Sequence, residues 1–147
     1  MTHPSPAIDP VLAASIRTLV AKDLRIASIA YRLQTAAIDL CPARTRLPGL
    51  IVQDASQYRA DLRPAMAMLY KLEDRPAVTG VVPDSAGDRA SIRVGDAILA
   101  VNGQSLGDAS APPARRTSDR FDSIADSLDT AFGNGPVTSY YGAEVPR

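Results

Sequence analysis

Residues 94–103, VGDAILAVNG, place a short apolar run between two turn signals. Gly95-Asp96 precedes the run at residues 97–101, and Asn102-Gly103 follows it. Both pairs favour tight turns, and Asn-Gly suits positions that need a positive φ. Five apolar residues between such turns predict a short, buried strand.

The bulk composition is that of one ordinary globular domain, or of a small domain with an appended helix. The chain has 147 residues, of which 46% are hydrophobic and 22% are charged, so a real core can form. Its 16 basic and 16 acidic residues give a formal net charge of zero. Because neutralising phosphates needs a basic excess on one face, this balance argues against a nucleic-acid partner.

Cysteine and histidine usage excludes several kinds of catalytic and metal site. Cys41 is the only cysteine, so no internal disulfide can form, and His3 is the only histidine. A zinc site needs several such ligands, and a Ser-His-Asp or Cys-His arrangement would have to recruit its histidine from a Pro-rich terminus. We therefore predict no catalytic residues, no metal site and no cofactor.

Four aspartates recur at helical spacing in the C-terminal part. This spacing is that of a solvated helix face, and paired catalytic carboxylates or metal ligands are the alternative. We favour the solvated face, because no second acidic cluster is placed to complete a cage. The four residues are Asp119, Asp122, Asp126 and Asp129.

Two features indicate the compartment. No run of 18 apolar residues occurs, so no membrane span is predicted. The N-terminus lacks the basic region of a signal peptide, and its most apolar stretch is interrupted by charges. Taken alone, these features indicate the cytoplasm.

The N-terminal part is predicted to be a disordered tail at residues 1–8 and a helical segment at residues 9–46. Asp9-Pro10 is typical of a helix start, and Cys41-Pro42 ends the pattern near Leu40. The charged pair at residues 22–23 leaves open whether the segment holds one helix or two.

The second half of this helical segment carries an apolar stripe at spacings of three and four. We favour packing of this stripe on the rest of the protein, with a dimer or partner-helix surface as the alternative. The stripe consists of Ile26, Ile29, Ala30, Leu33, Ala37 and Leu40.

Short strands and helices alternate over residues 47–147. Strands are predicted at residues 49–52, 77–82, 97–101 and 137–141. Helices are predicted at residues 57–72, where Pro64 interrupts the pattern, and at residues 118–132. A flexible linker of small residues and prolines is predicted at residues 107–117.

Residues 81–85, VVPDS, and residues 90–103, ASIRVGDAILAVNG, together resemble the core of a PDZ domain. The likeness is to the bacterial type found beside serine proteases and metallopeptidases, and it is strongest over residues 78–106. Asp84 stands where the family pattern has glycine. Ser91 replaces a glycine that often needs a left-handed backbone, so we expect a local cost of roughly 1 kcal/mol at most.

The resemblance implies an α+β fold. One or two N-terminal helices would precede a PDZ-like domain at residues 47–147, which would be a small β-sandwich or partly open barrel with two helices. The chain stops around where the last strand of such a domain should run. We therefore expect that strand to be missing or replaced, and the chain to be a fragment or a truncated product.

The same resemblance implies a groove that binds an extended peptide as an added strand, often by its C-terminal carboxylate. The carboxylate loop would be residues 47–50, although Pro48 lacks a backbone donor. The groove strand would be residues 50–54, and the facing helix residues 119–132. For the three helix residues, plain core packing is the alternative. The implied peptide-binding residues are Leu47, Gly49, Leu50, Ile51, Val52, Phe121, Ala125 and Leu128.

A narrower likeness covers residues 31–41, with Gly49-Leu50 and Gln57-Tyr58. These stretches resemble bacterial envelope proteins in which a helix and a PDZ-like domain precede a zincin-type metallopeptidase domain carrying H-E-x-x-H. This chain has no H-E-x-x-H. The implied role is the non-catalytic regulatory or substrate-recognition part of an envelope protease.

The implied ligand is an extended peptide or a protein C-terminus, and a downstream or separate protease domain is a further implied partner. The resemblance implies the periplasm, against the cytoplasm indicated by the N-terminus. An inactive metallopeptidase fragment and a helix-mediated assembly protein are the alternative functions.

Overall fold

The computed structural model describes residues 7–40, 47–101, 104–105, 119–133 and 139–141. It contains helices and antiparallel strands, as the α+β prediction requires. The helices are α1 (Pro10–Ala36), α2 (Arg63–Tyr70), α3 (Ala86–Arg89) and α4 (Asp119–Gly133), with short 3₁₀ helices at Ile38–Leu40 and Ala55–Gln57. The strands are β1 (Leu50–Gln53), β2 (Ala77–Val81), β3 (Ile98–Val101), β4 (Gln104–Ser105) and β5 (Ser139–Tyr141).

Helix α1 begins where the sequence predicts. The Asp9 carboxylate accepts a hydrogen bond from Val11 N at 3.0 Å, and Pro10 occupies the first turn. The helix continues through residues 22–23 without a break, so the segment holds one α-helix and not two. The predicted stop at Cys41-Pro42 lies outside the described residues.

The first half of α1 packs on a core shared with α2. Ile16 is buried there and Val20 packs against the same core, while Ala13 is buried on the same side of the helix. In the second half, Leu24, Ala27 and Tyr31 are half-buried. The large side chains of the predicted stripe, Ile26, Ile29, Leu33 and Leu40, are exposed, so the packing that we favoured is wrong at these positions. The reason is geometric, since Ile26 and Leu33 lie on a different side of the helix from Ile16 and Leu24. Within the described residues, no helix combines the length and the hydropathy needed to cross a membrane.

The described strands form two antiparallel sheets. Strand β1 pairs with β2, with a bulge between Ile51 and Val52, and β3 lies between β4 and β5. Of the strand predicted at residues 137–141, residues 139–141 form β5 beside β3, and residues 137–138 lie outside the described part of the chain. Neither sheet closes on itself within the described residues, which agrees with the predicted PDZ-like, partly open arrangement.

Residues 95–98 connect the two sheets, while the turn predicted at Asn102-Gly103 lies outside the described residues. Gly95 N donates to Val78 O at 2.8 Å, and Val78 N donates to Asp96 O at 2.9 Å. The Asp96 carboxylate closes the turn by accepting from Arg93 N at 2.8 Å. The turn predicted at Gly95-Asp96 is confirmed. Ile98 is fully buried, as predicted for the strand that follows this turn.

Two hydrophobic cores lie on either side of β2. The helical core joins α1, α2 and the start of β2, and consists of Ile16, Ala55, Ala65, Met66, Tyr70, Leu72 and Ala77. The sheet core joins β2, β3 and α4, and consists of Val78, Ile92, Ile98, Val101 and Ile124.

The two departures from the PDZ pattern both adopt the left-handed backbone. Asp84 has φ 61° and Ser91 has φ 63°. The left-handed conformation expected at Ser91 is therefore confirmed. Asp84 is stabilised locally, because its N–H donates to Asp88 Oδ2 at 2.9 Å.

Candidate functional site: a groove beside β1

The loop before β1 is held by its own backbone. Pro48 O accepts a hydrogen bond from Gly87 N, and Gly49 O accepts one from Val82 N, both at 2.8 Å. Gly49 has φ +72°, a conformation that side chains rarely adopt. The loop at residues 47–49 is thereby fixed against α3 and the end of β2, with Leu47 half-buried.

Strand β1 uses one edge for β2 and has no strand on its other edge within the described chain. Peptide groups alternate between the two edges of a strand. Because Gly49 bonds towards β2, the N–H and C=O of Leu50 point to the open edge. An extended peptide could pair with these groups.

The side chains of β1 divide between its two faces. Leu50 and Val52 pack against the sheet core. The side chain of Ile51 lies directly against Gly80. A β-carbon added to Gly80 would lie only 2.9 Å from Ile51 Cδ1. Of the three apolar residues predicted to line the groove from β1, two therefore face the side on which α4 lies and one faces away.

Helix α4 docks through Ile124, which is buried in the sheet core. Leu128 packs against the same core as Leu50 and Val52, and Phe121 and Ala125 are half-buried. Phe121, Ala125 and Leu128 follow one line of the helix at i, i+4 and i+7. Because α4 also contacts the turn Ala55–Gln57, it lies beside the end of β1.

Asp54 lies just beyond the groove strand, although the strand predicted at residues 50–54 included it. Its carboxylate accepts from Ser56 N at 2.9 Å, and its own N–H donates to Gln57 Oε1 at 2.9 Å. This is a capping box, and both Asp54 and Ser56 are fully buried. The strand therefore ends at Gln53, because Asp54 starts the 3₁₀ turn. The spacing of Asp54 and Gln57 carries this signal in the sequence, so the predicted strand end was wrong by one residue.

The side chain of Gln53 is also held in place. Tyr58 donates its hydroxyl hydrogen to Gln53 Oε1 at 2.7 Å, and Tyr58 O accepts from Arg63 Nε at 3.0 Å. The last residue of the groove strand is thus fixed by a chain of contacts from α2. This rigidity favours strand addition, because less freedom is lost when a peptide binds.

The acidic residues of α4 are exposed to solvent. The aspartates of α4 at residues 119, 122, 126 and 129 are exposed, as predicted for a solvated face. No group of three or more His, Cys, Asp or Glu side chains that could hold a metal ion occurs among the described residues. Strand β1 and helix α4 offer a ligand the open backbone edge of β1 and apolar side chains such as Leu128.

Comparison with known protein families finds a match to a segment in the middle of the chain. Residues 77–112 match the PDZ domain family. The matched segment begins with β2 and includes α3, β3 and β4, while β1 and α4 flank it. PDZ domains are modules that bind peptides and proteins. No curated protein and no solved structure matches the chain.

The match is to the PDZ domain family in general. It does not show that this chain is of the protease-associated type. Residues 31–41, which resemble envelope metallopeptidases, lie outside the matched segment. The structure brings Leu50, Val52 and Leu128 to one core. The assignment of the predicted groove residues to peptide binding stays a prediction.

Proposed function

We propose that this chain is a non-catalytic peptide-binding module that adds an extended peptide as a strand to the open edge of β1. The observation that carries the proposal is this open edge, which lies beside α4. Residues 77–112 of the same chain match the PDZ domain family. The peptide would pair with the outward N–H and C=O of Leu50 and seat an apolar side chain against Leu128 and Phe121.

The loop before β1 shapes which end of a peptide is recognised. Pro48 has no N–H, and its carbonyl is already bonded to Gly87 N. Gly49 O is likewise bonded to Val82 N. With one backbone donor missing, capture of a C-terminal carboxylate is weakened, so we propose that pairing along β1 contributes more affinity than the carboxylate.

We further propose that the module is the recognition or regulatory part of a bacterial envelope protease and acts in the periplasm. The support is the resemblance of residues 78–106 and 31–41 to such proteins. DNA sequence on both sides of the reading frame tests this directly. An in-frame H-E-x-x-H domain downstream is the expected result, and its absence would leave a free-standing module.

Peptide binding is tested by screening extended peptides, then repeating the measurement with the tightest peptide carrying a free or an amidated C-terminus. We expect amidation to weaken binding by less than about tenfold, a loss that corresponds to roughly 1.4 kcal/mol. A larger loss would show that carboxylate capture dominates. In a ¹⁵N NMR titration, the amides of Leu50–Gln53 should shift most.

Two variants separate binding from folding. Leu128→Glu places a charge beside the groove and should weaken peptide binding at least tenfold. Val94→Glu makes the same chemical change at an exposed apolar residue outside the groove and should bind normally. Thermal unfolding of both variants reports whether they remain folded. Full binding by folded Leu128→Glu, or NMR shifts confined to other elements, would contradict the proposed site.

A further inference from the structure

Large aliphatic side chains recur along the exposed face of α1 at every seventh residue. Leu19, Ile26 and Leu33 are 61%, 66% and 65% exposed, and Ile29 lies between the last two at 51%. Contiguous exposed apolar patches are rare on a monomer and usually mark an interaction surface. We call this set the α1 seam. Its repeat of seven is the repeat of a coiled coil, in which one helix packs along another.

The surface of α1 also carries the depressions that such packing requires. One depression is lined by Ile29, Arg32, Leu33 and Ala36, which stand at i, i+3, i+4 and i+7. In a coiled coil, four residues at this spacing form the hole that receives one side chain of the facing helix. A second depression near the N-terminus of α1 contains the same diamond at Val11, Ala14, Ser15 and Thr18.

The α1 seam lies away from the body of the protein. Ile16, which packs α1 on the helical core, and the buried Ala13 are on a different side of the helix from Leu19 and Ile26. At 100° per residue, Ile16 is about 80° and Ala13 about 140° from Ile26 around the helix axis. A second helix can therefore lie along the seam without displacing the body.

We propose that the occupant of the α1 seam is the α1 helix of a second copy of this chain, paired in parallel. The same repeat on two copies aligns Leu19, Ile26 and Leu33 with their own counterparts. Lys22 is exposed on the same line between Leu19 and Ile26, and it would form one polar layer that fixes the register at a cost in stability. Two such faces would bury on the order of 1,000 Å² in total, the size from which specific interfaces begin.

The charges beside the seam select the parallel arrangement. Arg25 and Arg32 lie on one flank, and Asp23 and Ala30 lie on the other. In an antiparallel pair, like flanks meet, so Arg25 would face Arg32 of the second copy. In a parallel pair, opposite flanks meet, so Arg25 faces Ala30 of the second copy and this repulsion between arginines is absent.

Sedimentation of the intact chain tests the proposal. We expect a concentration-dependent mass of two 15.5 kDa chains, reduced to one chain in Ile29→Glu/Leu33→Glu. Met68→Glu, at an exposed apolar residue of α2, is the matched control and should stay dimeric. A monomeric native chain would overturn the proposal and point to a helix of another protein. A dimer that survives the double substitution would also overturn it.

Disulfide trapping tests the orientation. In a Cys41→Ser background, Leu33→Cys should form a dimer linked by its own counterpart on mild oxidation, because parallel pairing brings the two positions together. Met68→Cys in the same background should not be trapped. A sedimenting dimer in which Leu33→Cys fails to link would overturn the parallel arrangement, while a linked dimer confirms it.

Discussion

Gly49 lies against Ser85 so closely that no side chain fits between them. A β-carbon on Gly49 would overlap Ser85 Cβ and lie 2.5 Å from Ser85 Oγ. Ser85 is itself fully buried and caps α3, since its Oγ accepts from Asp88 N at 3.3 Å. The loop that leads into the groove strand and the start of α3 are therefore one packed unit.

Gly49→Ala should destabilise the fold strongly. The substitution combines a left-handed backbone with a clash, so we expect a loss of at least about 2 kcal/mol in the free energy of unfolding. Gly95→Ala is the matched control, because Gly95 has φ +93° but its nearest neighbour would lie 3.5 Å from the new carbon. That variant should lose only about 1 kcal/mol. Urea unfolding compares them, and equal losses would contradict the role of the Ser85 contact.

Ser91→Gly should stabilise the protein. Ser91 adopts φ 63°, and its N–H donates to Asp88 O at 2.9 Å, a bond that glycine retains. Glycine removes the side-chain penalty of the left-handed backbone, so we expect a gain of up to about 1 kcal/mol in the free energy of unfolding. Asp84→Gly should gain less, because aspartate tolerates the left-handed conformation better than serine does. Loss of stability in Ser91→Gly would show that its hydroxyl matters more than its backbone.

Two methionines of α2 should respond differently to truncation. Met66 is 1% exposed in the helical core, and Met68 is 52% exposed. Met66→Ala leaves a cavity and should cost about 2–5 kcal/mol. Met68→Ala should change the free energy of unfolding by less than about 0.5 kcal/mol. Chemical unfolding measures both, and a small effect of Met66→Ala would mean that this core readily collapses.

The stability of the protein should fall at alkaline pH partly through Tyr70. Burial raises the pKa of the Tyr70 hydroxyl above its ordinary value near 10, and Arg17 opposes this rise. Because the pKa is higher in the folded state, the contribution is present below about pH 10 and is lost as the pH rises through the folded-state pKa. Tyr70→Phe should therefore lose less stability than the native chain above about pH 10. Parallel losses in urea midpoints would contradict this assignment.

Local signals in the sequence predicted the local structure well. Asp9-Pro10 marks the start of α1, Gly95-Asp96 forms a turn, and Ile98 lies on a buried strand. Each of these outcomes depends on residues close together in the chain. The capping box of Asp54 and Gln57 is an equally local signal, and it explains why the groove strand is one residue shorter than predicted.

The sequence does not predict which surface a given apolar face packs against. The face of Ile26 and Leu33 has the same pattern whether it packs on its own domain or on another molecule. The placement of Ile16 on the helical core shows which side of α1 faces the body, and Ile26 and Leu33 lie on another side. In α4, likewise, Ile124 and Leu128 share one apolar face. In the fold, Ile124 is buried in the core and Leu128 is only half-buried.

The brevity of β1 has a consequence for the solubility of the protein. An open strand edge is a template for any chain, including another copy, and long flat edges promote aggregation. Strand β1 is four residues long, is bulged at its centre and is ended by the turn at Ala55–Gln57. It can form only a few hydrogen bonds with another strand, because the chain turns after Gln53. The same edge that we propose for peptide recognition is thus too short and too twisted to seed a continuous sheet between molecules.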